Sequence, residues 1–183
     1  MSKQYDKIDL ELAGWIAQQR VFFVATAPLS ADGHINNSPK GGDAIRVLGP
    51  LEVVYQDLTG SGAETAAHLR ENGRIIVMFC AFESAPKIVR LHGRGTVITP
   101  EDPRFDEMAS HFAFNPGTRA FIHVSVTRVS VSCGQGVPLF DFRGPRDTLD
   151  CWAAKQGPEK LEAYRGAKNQ KSIDGLPAYK RNR

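Results

Sequence analysis

A chain of 183 residues with 42% hydrophobic and 23% charged side chains can bury a single core without disulfides or metal, which argues against global disorder. The formal charge of +3 comes from the region beyond residue 142, where basic residues are interleaved with acids; this is the pattern of a solvated helix, and no nucleic-acid motif accompanies it. Cys80, Cys133 and Cys151 have neither zinc-ligand spacing nor an even disulfide count, and neither an apolar leader nor a bilayer-length run occurs, so the expectation is a soluble, cytoplasmic protein.

Ile8 to Gln19 has the spacing of an amphipathic helix with an acidic start. Val21 to Thr26 follows as a strand, and Asp32-Gly33 favours a hairpin into His34–Ser38. Pro39 to Asp43 is expected to interrupt regular structure. Leu51 to Asp57 reads as the next strand, Ala63 to Asn72 as a helix, and Arg74 to Phe82 as a strand buried on both faces. Between Lys87 and Thr99 the pattern alternates, placing Val89, Leu91 and Val97 on one side and Arg90, His92 and Arg94 on the other. A short helix to about Phe112 precedes a long strand, Arg119 to Cys133. In that strand Val124 and Val126 share one parity and Val129 and Val131 the other, so a bulge is predicted near Thr127-Arg128. Two helical stretches from about Arg146 to Lys168, broken at Gly157-Pro158, lead to a Gly/Pro tail expected to be extended or mobile.

About six strands joined mainly by hairpins, with helices inserted singly, predict a mostly antiparallel barrel with flanking helices. The expected organisation is a barrel domain over residues 1–145, and a helical extension with tail over 146–183 that packs on the same domain or on a partner subunit.

The richest chemistry lies between Tyr55 and Asn72. There a strand end, a loop carrying Thr59, Gly60, Ser61 and Gly62, and a helix start follow one another, which is an arrangement suited to an anion such as phosphate. Ser61 to Glu64 equally fits a capping box that needs no ligand. Glu64 would repel a phosphate, so Lys40 and Arg46 are the candidate compensating cations. The loop is no Walker sequence, because Ala63 stands where Lys would be required. No two histidines have ligand spacing, and no metal site is expected; a catalytic thiol or serine finds no supporting pattern either.

Phe22 to Thr26, Asp32-Gly33, Asn37 to Gly41, Val53 to Asp57, Gly60-Ser61, Glu71 to Arg74, Val77 to Phe79 and Leu91 to Gly95, in this order, resemble the pyridoxamine phosphate oxidase family. The resemblance covers roughly residues 15 to 135. It implies an FMN-binding split β-barrel, a homodimer, and FMN in the subunit interface. Under it, Ser38, Pro39, Lys40 and Gly41 match the strand end along the flavin ring and ribityl chain, and Tyr55, Gln56 and Asp57 match the second strand end. Thr59 and Ser61 fall in the phosphate turn, and Thr65 falls where the family places a basic residue. Glu64-Thr65 replaces the Arg-Lys pair of true oxidases, and Trp152 lacks the paired arginines of the C-terminal oxidase region. The resemblance therefore implies a related FMN-dependent oxidoreductase with another small organic substrate. The alternative is a flavin or haem carrier on the same fold with no turnover of its own.

Overall fold

A computed structural model describes residues 3–179. Eight strands, β1 (Lys3–Tyr5), β2 (Val21–Thr26), β3 (Asn36–Gly41), β4 (Ile45–Gly49), β5 (Glu52–Leu58), β6 (Arg74–Cys80), β7 (Ile88–Ile98) and β8 (Thr118–Ser132), form one sheet. Its order is β3-β2-β6-β7-β8-β5-β4, with β1 on β8, and every pairing is antiparallel. The helices are α1 (Leu10–Ala17), α2 (Glu64–Asn72), α3 (Phe105–Ala109) and α4 (Thr148–Lys168). The architecture is an antiparallel half-barrel with inserted helices, and no described helix is long and apolar enough to cross a membrane.

The inner face carries the main core. Ile8, Leu12 and Ile16 of the α1 region meet Phe22, Val24, Val53, Tyr55, Val77, Phe79, Leu91 and Ile122 there. α1 is capped by Asp9, whose carboxylate accepts from the Leu12 N–H at 2.8 Å, and this stabilises its first turn. A smaller cluster on the opposite face joins Val54, Ile98, Met108 and Phe121, which is the alternation a strand with a period of two requires.

The bulge predicted in the long strand is present. His92 pairs with Arg128 and Gly93 with Val126, so Thr127 is the extra residue on β8. That insertion turns Val124, Val126 and Val129 towards one core despite their different parity. Gly93 is required at this crossing, because a Cβ there would stand 2.3 Å from the Ser125 carbonyl oxygen.

Several expectations are corrected. Pro39 to Gly41 continue β3 instead of interrupting it, with Pro39 opposite Phe23. β3 is an edge strand, with a neighbour on one side only, which is where a sheet tolerates proline. β4 and β1 are additional strands; Ile45 and Val47 of β4 pack on the main core and Leu48 on the smaller cluster. β6 alternates buried and half-buried positions and is not buried on both faces. α4 is two helices meeting at Gly157, whose φ of 73° is left-handed, at the predicted break. The tail does not extend away. A turn at Gly175 (φ 79°) brings Lys171 opposite Pro177, and Ala178 packs against Ala63, Ala66 and Ala67 of the α2 region.

Candidate functional site

β5 runs through the buried Val53, Val54 and Tyr55 into Gln56-Asp57, and β8 opens on Thr118-Arg119 before the buried Ala120, Phe121 and Ile122, so Asp57 and Arg119 each stand next to a buried apolar run. Asp57 pairs with Ala120 and Leu58 with Thr118, which leaves Arg119 as an extra residue in β8. This second bulge aims Arg119 at Asp57. Its Nε donates to Oδ2 at 2.7 Å, with the two side chains only 8% and 2% exposed. Lys40 Nζ approaches Oδ1 at 3.4 Å, the Tyr179 hydroxyl donates to Oδ2 at 2.6 Å, and the Arg119 guanidinium lies 4.8 Å over the Tyr179 ring.

Burial alone would raise the Asp57 pKa. The Arg119 and Lys40 charges, with the hydrogen bonds from Arg119 and Tyr179, outweigh burial and hold it below the ordinary carboxylate value. Arg119 is likewise desolvated, yet Asp57 keeps it firmly protonated. Tyr55 and Tyr179 are pushed up by burial and then by the Asp57 charge, so both phenols stay neutral. The buried Tyr55 hydroxyl faces the Thr65 side chain on the cleft wall.

In front of this cluster lies a cleft of about 860 Å³. A polar ladder forms one of its walls. Ser38 Oγ donates to Asn36 Oδ1 at 2.9 Å, and Asn36 Nδ2 donates to Thr65 Oγ1 at 3.0 Å and Thr26 Oγ1 at 3.2 Å. Thr26 Oγ1 in turn lies 2.9 Å from His68 Nδ1. Burial lowers the His68 pKa and favours the neutral ring.

Of the residues selected from the sequence, Ser38, Pro39, Lys40, Gly41, Gln56 and Thr65 line the cleft, with Asp57 and Tyr55 buried behind it. Thr59 is buried in the loop. Its N–H and hydroxyl both donate to the Gly117 carbonyl at 2.7 Å, and its oxygen accepts from Arg165 Nε at 2.9 Å. Ser61 is exposed between Gly60 and Gly62, which line the cleft. Arg46 is directed elsewhere: it makes a two-pronged pair with Asp43 at 2.7 and 2.6 Å, donates to the His111 carbonyl at 3.0 Å and stacks over Phe112. The capping box does not form, since α2 has Ala63 at its cap without a side-chain bond and Glu64 accepts from the Ile173 N–H at 3.3 Å.

The sequence reading missed Arg119, Asn36, Tyr179, Arg165 and Asn169. Arg119 had a signal. A cation directly before the apolar run Ala120-Phe121-Ile122 requires a countercharge if it is buried, and Asp57, directly after the apolar run Val53-Val54-Tyr55 and Gln56, is its counterpart. The tail residues offered none, because their partners lie more than a hundred positions away: Asn169 Nδ2 donates to the Gly60 carbonyl at 2.8 Å, and Tyr179 reaches Asp57. His92, on the basic face of β7, does not line the cleft. Partial burial lowers its pKa first, and Arg128 and Arg90 lower it further.

Residues 8–133 match the family model described as pyridoxamine 5′-phosphate oxidase. A curated relative, the pyridoxamine 5′-phosphate oxidase family protein ustO of Aspergillus flavus, is 39% identical over 190 residues, covering 94% of this chain and 76% of the relative. The crystal structure of Group A Streptococcus HupZ shares the fold with a TM-score of 0.53 and 23% identity, over 67% of this chain and 91% of that one. The FAD binding protein from Mycobacterium smegmatis aligns with a TM-score of 0.50 and 13% identity, over 69% of this chain and 96% of that chain.

Proposed function

From the membership of this chain in the pyridoxamine 5′-phosphate oxidase family, we propose that it is an FMN-dependent oxidoreductase acting on a small organic substrate, with the flavin in the cleft beside β3, β5 and the start of α2. The observation that carries this reading is a charge imbalance. Lys40 and Arg119 both line the cleft and share a single carboxylate, Asp57, so this trio carries one net positive charge for an anion, while Asp43 of the same lining is engaged by Arg46 and Glu64 and Asp150 stand elsewhere on the wall.

The residues present fit such a cofactor. The cleft has the size of a small-molecule site, no side chain caps the first-turn N–H groups of α2, and Thr65 and Ser38 offer hydroxyls on the same wall. Arg119 takes the compensating role that the sequence assigned to Arg46. Bound flavin supplies the two-electron redox chemistry itself. In this reading Lys40 and the Gly41 and Gly42 backbone orient it and favour its reduced, negatively charged form. Phe114, 93% exposed on the cleft rim, is an apolar surface for a second copy of the chain to cover, consistent with a homodimer enclosing the cofactor.

Titration of the purified protein with FMN and FAD, followed by flavin fluorescence, tests the assignment. FMN is expected to bind preferentially, and Lys40→Met to weaken it roughly tenfold by removing a charge-assisted contact. A protein that refuses both flavins overturns the reading. Bleaching of the bound flavin by NADH or NADPH, or its reduction by a substrate, distinguishes an enzyme from a carrier.

A further inference from the structure

A second pocket of about 580 Å³ adjoins the cleft where α1 gives way to β2, and Arg20 and Phe142 line both cavities. Its apolar walls are aromatic. The Phe82 and Phe140 rings lie 5.5 Å apart, and Phe142 carries the Arg20 guanidinium 5.1 Å above its ring. The loop bearing Phe140 and Phe142 is pinned at two points: the Phe140 N–H donates to the Phe82 carbonyl at 2.9 Å, and the Phe142 N–H donates to Glu83 Oε1 at 3.1 Å. That loop lies beyond the family match, which ends at residue 133, so this wall is supplied by the part of the chain outside the shared framework.

The charges in this pocket are arranged unusually. Arg20, Glu83 and Asp141 all line it, yet among the described residues no ion pair joins Arg20 to either acid. Opposite charges left apart at the rim of one apolar pocket complement a ligand carrying both signs. The Arg20 backbone also borders the strand end expected to face the flavin, since its carbonyl lies 3.5 Å from where a Cβ on Gly41 would stand.

We propose that this pocket binds an aromatic zwitterion of the aromatic α-amino acid class, with the ring among Phe82, Phe140 and Phe142, the carboxylate on Arg20, and the ammonium on Glu83 and Asp141. The fate of that ligand rests on the flavin reading, because the pocket opens onto the same cleft; its binding does not. An aromatic ring gains both apolar burial and ring-to-ring contact here; the carboxylate meets one cation, Arg20, and the ammonium two carboxylates, Glu83 and Asp141, none of them in an ion pair among the described residues.

Calorimetric titration of the full chain, freed of flavin, with L-tryptophan, tryptamine and 3-indolepropionate provides the test. L-tryptophan is expected to bind tightest. Arg20→Met should weaken L-tryptophan and indolepropionate roughly tenfold while sparing tryptamine. The double variant Glu83→Gln, Asp141→Asn should weaken L-tryptophan and tryptamine while sparing 3-indolepropionate, and E83Q retains a carbonyl for the Phe142 N–H. If Arg20→Met does not fold, Arg20→Lys is measured instead and should preserve most carboxylate binding. The proposal is overturned if L-tryptophan binds no tighter than tryptamine, if the variants leave all three affinities unchanged, or if they change only self-association of the chain. A parallel FMN titration separates the two readings: loss of FMN binding with tryptophan binding intact rejects the flavin site alone, and the converse rejects this pocket alone.

Discussion

The hydroxyl of Tyr179 donates to Oδ2 of Asp57 at 2.6 Å, linking residues 122 positions apart. This contact closes the back of the cleft with the C-terminal segment, since Arg165 and Asn169 hold the Thr59-Gly60 loop from the same side. Tyr179→Phe removes one hydrogen bond to a buried carboxylate and keeps the ring under Arg119. A loss of about 1.5–3 kcal/mol in urea unfolding is expected, together with weaker flavin binding. Unchanged stability would show that the tail does not sit on Asp57 in solution.

Asp57→Asn leaves Arg119 buried without its countercharge. A loss of about 3–5 kcal/mol at pH 7 is expected, the usual consequence of removing one partner of a buried pair. The native Asp57 pKa lies below its ordinary value, so its contribution is fully present above the unfolded-state pKa of about 3.9 and declines as pH falls from there through the native pKa. Unfolding free energies of the two proteins measured from pH 7 to pH 3 should therefore converge at the acidic end. A gap that widens on acidification would contradict the assigned charge state.

The antiparallel barrel was legible because its signals are local. Alternation marked most strands, and the parity switch between Val126 and Val129 located the bulge at Thr127. The cleft-lining strand end Ser38 to Gly41 and the Thr65 wall were legible from motif order. What escaped the sequence depends on distance or on neighbours. Pro39 tolerates a strand only because β3 has no second partner. Arg46 reads as a free cation in the sequence, but Asp43, three residues away, engages it in the fold. Ser61 and Glu64 matched a cap in spacing, but Glu64 is drawn to the Ile173 N–H on the returning tail. Tail residues acquire meaning only once that tail folds back.

His68 couples the cleft ladder to pH. Its ring is buried, Nε2 has no hydrogen-bond partner among the described residues, and burial depresses its pKa. Below about pH 6.5 the unfolded chain takes up a proton that the native ring resists, so stability falls as pH drops from there toward the lower native pKa. His68→Gln, which can still hydrogen-bond Thr26, should flatten this slope in denaturation curves between pH 7 and pH 5. An unchanged slope would assign the pH dependence to other histidines.

Two glycine replacements should change stability in opposite directions. At Gly93 a Cβ would stand 2.3 Å from the Ser125 carbonyl oxygen and 3.0 Å from its carbonyl carbon. Both are backbone atoms of the neighbouring strand, so no side chain can move aside, and Gly93→Ala must separate β7 from β8 at the bulge for roughly 2–3 kcal/mol. At Gly14, inside α1, nothing lies within 4 Å of the new Cβ, and Gly14→Ala should stabilise the protein by about 0.5–1 kcal/mol through helix propensity and reduced unfolded-state entropy. Parallel thermal and urea unfolding of the two variants reads both signs. A Gly93→Ala protein as stable as the parent would mean that Thr127 is not the inserted residue, and the shared inward face of Val124, Val126 and Val129 would need a different register.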